Sequence, residues 1–279
     1  IFLYSTASVS FCANSLLLLL LLLHRSGLSL GNYRILLIVF ALSDVFISIY
    51  HVWYIPMFCF TKYGLIYYGY GCLLGRGTLS KNCNTIFTLS FYLPFFLIGI
   101  HFIYRYLSLT RPSVVKENFF RFLSLCTGYA ISYNLFFIFF TAHPVYYMGI
   151  SKRFYGYLAE YEQRPLRPDM NVAALEYIDE DSVINSTAIW IVLGAGIVGG
   201  HLIVVSLVCI YKIVGALNER VLDIAIKRVH IQLFRALLLQ FAMPFIFSFL
   251  PYSVVVLLPA VGVSLDHVDF ARLSFSGSI

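Results

Sequence analysis

The chain has 279 residues, of which 60% are hydrophobic and only 11% charged, with a formal net charge of +6 and a mean hydropathy of +0.85. Soluble domains carry about 25% charged residues, so this composition excludes a water-soluble globule, and its apolar content excludes a disordered chain. Six Cys are too few for a disulfide-dense secreted domain.

The ruler that fits is the bilayer, which needs about 20 apolar residues per helical crossing. Six segments meet it, at 1–23, 35–60, 84–109, 119–142, 188–211 and 233–258, and a seventh begins at 268–279. The first ends in eight consecutive leucines, Leu16 to Leu23. All are apolar around their whole circumference, unlike the short alternating strands of a membrane barrel. The expected fold is an all-α membrane protein, a seven-transmembrane helix bundle forming a single domain over 1–279. Ile1 and Ile279 both lie in apolar sequence. The expectation is therefore that the seventh helix is incomplete and that 1–23 is a span, being too long for a cleaved signal peptide.

Loop charge gives the orientation. Loops 24–34, 105–121 and 212–235 hold eleven of the Lys and Arg residues, and the opposite loops hold eight. Four of those eight lie in the long loop before the fifth span, most of them well away from a span end. The basic loops are therefore expected in the cytoplasm and the N-terminus outside.

Polar residues inside spans need a reason, because a carboxylate at mid-membrane costs about 2.5–3.5 kcal/mol. Asp44 in span two and Asn14 in span one lie at comparable depth. They read either as a polar switch within the bundle or as an interhelical hydrogen bond that holds the two spans together. His51, Asn134, His201 and Gln240 occur one per helix and read as satisfied interior groups. No metal-ligand spacing, nucleophile motif or phosphate loop occurs, so no enzyme, metal or cofactor is expected. Pro56, Pro94, Pro244 and Pro251 interrupt helical hydrogen bonding, and Pro244, midway along span six, is the expected hinge. Gly194, Gly196, Gly199 and Gly200 in span five permit close helix approach. Tyr67, Tyr68 and Tyr70 suit an interfacial belt. Tyr50, Trp53, Phe87, Phe91, Phe249 and Tyr252, with Tyr54 and Trp190, sit on the outer halves of spans. There they either face lipid and core or line a cavity for a small, mostly apolar molecule.

The string His101-Phe102-Ile103-Tyr104-Arg105-Tyr106 closes span three, and the Arg stem is long enough to carry its guanidinium toward the interface. It resembles the Arg-bearing end of the third helix in G-protein-coupled receptors, with Tyr104 in place of the usual acid. It is most similar to the H-F-I-Y-R-Y signature of nematode serpentine chemoreceptors of the Str class. Gly31-Asn32-Tyr33-Arg34 before span two and Gln232-Leu233-Phe234-Arg235-Ala236-Leu237 entering span six extend the resemblance along nearly the whole chain.

The resemblance implies a chemosensory, odorant-type receptor in the plasma membrane of sensory neurons. Its partners would be a small external molecule, a cytoplasmic heterotrimeric G protein and the lipid bilayer, with no nucleic acid. Tyr104, Arg105, Tyr106, Arg111, Lys227 and Arg228 would then face the G protein. The disulfide that joins span three to the 143–187 loop in rhodopsin-like receptors has no Cys on the loop side. Cys72 and Cys83 are the candidates for a local bridge instead, with Cys59 as competitor. The 143–187 loop reads as a cap over the ligand or as a solvated loop. Asn185 opens the one N-x-[ST] sequon. The rival class is a ligand-gated channel or transporter subunit, for which inverted repeats or a polar pore would be needed.

Overall fold

A computed structural model describes residues 2–23, 31–61, 63–70, 77–142, 151–154, 156, 159, 172–178, 183–219 and 224–259. The expected seventh span lies outside the described residues. Among the described residues six helices are long and apolar enough to cross a membrane, and they build a helical bundle with a small sheet at one end.

Helices α1 (Phe2–Leu23) and α2 (Tyr33–Trp53) form an antiparallel pair. Gly31 turns the chain between them with φ +51°, a left-handed conformation that only Gly adopts cheaply. One polar link across the pair is Ser48 Oγ donating to Ser10 Oγ at 2.9 Å. Asn14 donates to Ser10 O at 3.1 Å within its own helix.

Span two ends at Trp53, seven residues before the apolar run does. Tyr54 is extended, and Ile55 precedes a proline, which disfavours helix. Strand β1 (Ile55–Thr61) follows, then β2 (Gly64–Tyr70), paired antiparallel from Ile55↔Tyr70 to Thr61↔Gly64. Strand β3 (Val172–Glu176) pairs with the other side of β2, from Gly64↔Glu176 to Tyr68↔Val172. Pro56 therefore sits on an edge strand, where proline is tolerated, and does not kink a helix. A Cβ on Gly64 would lie 2.1 Å from Leu175 O, so the β2–β3 approach requires Gly there. Tyr68 is fully buried against Ile66, Phe154 and Val172, away from the expected interfacial belt.

Helix α3 (Gly77–Thr110) is the axis of the bundle and touches α2, α5 and both the fifth and sixth spans. Pro94 lies inside it without ending it. Short α4 (Pro112–Glu117) leads to α5 (Phe119–Phe137), which closes as a π-helical turn at Ile138–Ala142. The fifth span, α6 (Ser186–Glu219), runs eight residues past its expected end. Asn185 caps it, its Oδ1 accepting from Thr187 N at 3.1 Å. The sixth span is α7 (Ile224–Pro244), a π-helical turn at Phe245–Phe249, and α8 (Leu250–Leu257). Pro244 removes one helical donor immediately before that turn, a recognised cause of such a bulge. Gly199 does permit a close approach, since a Cβ there would lie 3.0 Å from the Tyr92 ring and 3.1 Å from the Phe249 ring, whereas Gly194, Gly196 and Gly200 meet no neighbour within 4 Å. Gln240 is exposed on the sixth span rather than interior.

Candidate functional site

Two sites stand at opposite ends of the bundle. At the sheet end a cavity of about 460 Å³ lies between α3, the fifth span and the sixth span. Phe87, Phe91 and Tyr92 face it from α3, and Phe249, Tyr252 and Ser253 from the sixth span. Phe137 closes it on the α5 side, where its ring lies 5.1 Å from Tyr92. Phe58, Leu65, Tyr67 and Leu175, one or two from each strand, lie over its end. None of the described lining residues carries a charge, and Thr88, Ser253 and the tyrosines supply its hydroxyls.

The rings hold one another in tilted or edge contacts that are worth about 0.5–1.5 kcal/mol per pair. Phe91 and Tyr252 are 4.9 Å apart between centroids, and Phe95 meets Phe249 edge-on at 5.7 Å.

The sheet is tied down beside this cavity. Tyr177 donates from its hydroxyl to Val256 O at 2.8 Å, joining the end of β3 to the sixth span. Arg153 pairs with Glu176 at 2.8 Å, lies 3.8 Å over the Tyr63 ring and donates to Ile178 O. In the described part of the 143–187 loop, Leu175 of β3 lines the cavity. Burial and the neighbouring ring of Tyr252 hold the Tyr177 phenol above its ordinary pKa, so it stays a donor at any physiological pH.

At the other end Arg105 is 6% exposed. Its guanidinium carbon lies 3.9 Å from the centroid of the Tyr33 ring, and Nε and Nη2 make no hydrogen bond among the described residues. This corrects the expectation that it reaches the interface. The helix continues five residues beyond it to Thr110, about 7.5 Å at the helical rise, and Val115 and Phe119 pack across that end. An aromatic face is the partner available at that depth. Tyr104 stacks on the same Tyr33 ring at 5.3 Å, and His101 Nδ1 is 3.1 Å from the Tyr33 hydroxyl. Asn32 donates to Val115 O at 3.1 Å, and Arg34 to Leu22 O at 3.3 Å. The residues of the 31–34 string therefore clamp the end of span two against its neighbours.

The chain matches the family model for the serpentine type 7TM GPCR chemoreceptor Str over residues 1–275. It belongs to that family. No curated protein and no solved structure matches it. The Str family is a receptor family rather than an enzyme family, and its seven-helix membrane architecture agrees with the six spans described here.

Within this Str chemoreceptor the structure gathers Phe87, Phe91, Phe249 and Tyr252 around one cavity. It leaves out two residues grouped with them in the sequence. Tyr50 lies behind the wall, its hydroxyl donating to Cys83 O, and Trp53 is 55% exposed on the outside of α2. Trp190, at 72% exposed, also faces outward. Cys83 carries a free, buried thiol packed among Tyr50, Tyr54 and Phe87 in place of the expected bridge, and Cys72 lies outside the described residues. Tyr106 is half-buried, Lys227 is intermediate, and Arg111 and Arg228 are exposed at the Arg105 end.

Sequence reasoning missed Tyr33, Tyr92, Tyr177 and the strand residues over the cavity. Tyr33 sits inside a string already singled out and was findable by pairing that string with the span-three signature. The strand residues carried no signal, because an apolar strand that follows an apolar helix leaves hydropathy unchanged.

Proposed function

We propose that this Str-family protein is a G-protein-coupled chemosensory receptor of the plasma membrane, with its N-terminus outside, acting in sensory neurons. A small external molecule binds in the cavity beneath the sheet. The Arg105 end then engages a cytoplasmic heterotrimeric G protein. The observation that carries this reading is that α3 and the sixth span are shared by both sites: Phe91 and Phe249 wall the cavity, while Arg105 and Phe234 lie at the far end of the same two helices.

A ligand shifts such a bundle only by its differential affinity for two arrangements. Phe249 supplies that difference, because it closes the π-helical turn after Pro244 and also touches the cavity. Movement at this turn swings the inner half of the sixth span away from α3. It uncovers Arg105, with Arg111, Lys227 and Arg228 at its margin. The uncharged aromatic lining selects a neutral, largely apolar molecule with one or two hydrogen-bonding atoms.

The test uses the full-length receptor in nanodiscs with purified heterotrimers and a panel of neutral volatile compounds. At least one compound is expected to accelerate guanine-nucleotide exchange, and Ser253→Phe is expected to lower its potency at least tenfold. Absence of acceleration with every G-protein class, alongside ligand-evoked current in protein-free-of-G vesicles, would overturn the reading.

A further inference from the structure

We infer that the cavity opens sideways into the membrane between the fifth and sixth spans, and that its ligand enters from the lipid rather than from water. The inference rests on the cavity being the ligand site. Three wall residues face both ways: Leu193 is 49% exposed, Ile197 70% and Leu257 51%, and all three line the cavity. A residue that forms the inner wall and the outer surface at once marks a gap in the wall.

Gly196 lies in that gap. It lines the cavity, and a Cβ built there meets nothing within 4 Å. Across the gap, Ser253 and Leu257 stand one turn apart on the sixth span. The spans do not diverge everywhere. Toward the Arg105 end Cys209, Ile213 and Leu217 form one core with Phe234, Leu237 and Phe241. Among the described residues that core, which includes Phe102 of α3, fills the space between the two spans at the far end.

The aqueous side is the obstructed one. Leu65, Tyr67 and Leu175 lie over the cavity within a hydrogen-bonded sheet, and Tyr177 and Arg153 fasten that sheet to the sixth span and to the 151–154 turn. A neutral apolar molecule concentrates in the hydrocarbon phase before it meets the receptor. The lateral route matches both the lining and the supply. The ligand class it implies is membrane-soluble and uncharged.

The route is tested without any ligand or signalling readout, using Ser253→Cys in the full-length receptor in phosphatidylcholine nanodiscs. Two thiol probes are compared, lipid-soluble N-phenylmaleimide and the membrane-impermeant cation methanethiosulfonate-ethyltrimethylammonium. Modification is counted by mass spectrometry on the peptide that carries position 253, so native cysteines do not contribute. The maleimide is expected to react at least tenfold faster relative to each probe's rate with a free thiol. Adding Gly196→Trp is expected to slow it about tenfold, and Leu193→Ala to speed it two- to threefold. Leu193→Trp serves as the plug if Gly196→Trp lowers the yield of folded protein.

Equal relative rates for the two probes, labelling by neither, or a maleimide rate indifferent to both plugs overturns the lateral route. A receptor that shows gated labelling but no nucleotide exchange keeps the portal and loses the proposed signalling, so the two failures are separable.

Discussion

The fifth and sixth spans meet in two ways along their length. Toward Arg105 both pack on α3, with Ile213 and Leu237 each 1% exposed in a core they share with Ile98, Phe102 and Leu109. Toward the sheet they stand apart around an aromatic cavity. The helices are the same, so the difference comes from what fills the space between them. Branched aliphatics and edge-on phenylalanines close one half. In the other, Gly196 contributes no side chain, and the π-helical turn after Pro244 re-aims Phe249. A tight half gives a fulcrum, and a loose half gives room for a ligand to act on it.

The largest expected effect tests the tight half. Leu237→Ala is expected to cost about 2–5 kcal/mol, as for a well-packed core leucine. Val192→Ala, on the cavity wall, is expected to cost under about 1 kcal/mol, since the space beside it is already open. Thermal unfolding in nanodiscs measures both, and equal losses would erase the contrast.

Next comes the far end. A desolvated cation over an aromatic ring is worth about 2 kcal/mol. Tyr33→Leu is therefore expected to release Arg105 and raise ligand-independent nucleotide exchange by about ten- to thirtyfold, and Tyr33→Phe, which keeps the ring, to change it by less than about threefold. The reverse order would mean that the hydroxyl contact with His101, rather than the ring, restrains the arginine.

How much of this was legible beforehand differs along the chain. Four spans were placed within two residues at their cavity ends, because bilayer thickness sets both length and hydropathy, while the third begins at Gly77, seven residues before its expected start. Span two was overextended to residue 60, since Ile55 to Phe60 is as apolar as the helix before it and only the Ile55-Pro56 step marks the change. Four cavity residues were legible from their depth and ring type. Trp53 and Tyr50 were not separable from them, because which side of a helix faces the bundle depends on partners distant in sequence. The inward turn of Arg105 was hidden for the same reason: its aromatic partner lies in another span.

Two smaller effects sharpen the loose half. Ser253→Phe is expected to fill the cavity and weaken an agonist found by the exchange screen at least tenfold, about 1.4 kcal/mol, with an unchanged melting temperature. Unaltered potency would place the agonist elsewhere. Tyr177→Phe removes the hydroxyl that reaches Val256 O and is expected to cost about 1 kcal/mol. Hydrogen exchange of the β3 amides reads this directly, with faster exchange at Leu175 and Glu176 expected and no change if the strand is held by pairing alone.

The register of β3 against β2 also constrains how the protein is made. Val172 pairs with Tyr68 more than a hundred residues upstream, and α3 and α5 lie between them in the chain. The β1–β2 hairpin can form as soon as it leaves the translocon, whereas its third strand arrives only after two further helices have been threaded. During synthesis the nascent receptor therefore passes through a stage with an unpaired strand edge, and a folding factor that recognises such edges has a defined interval in which to act.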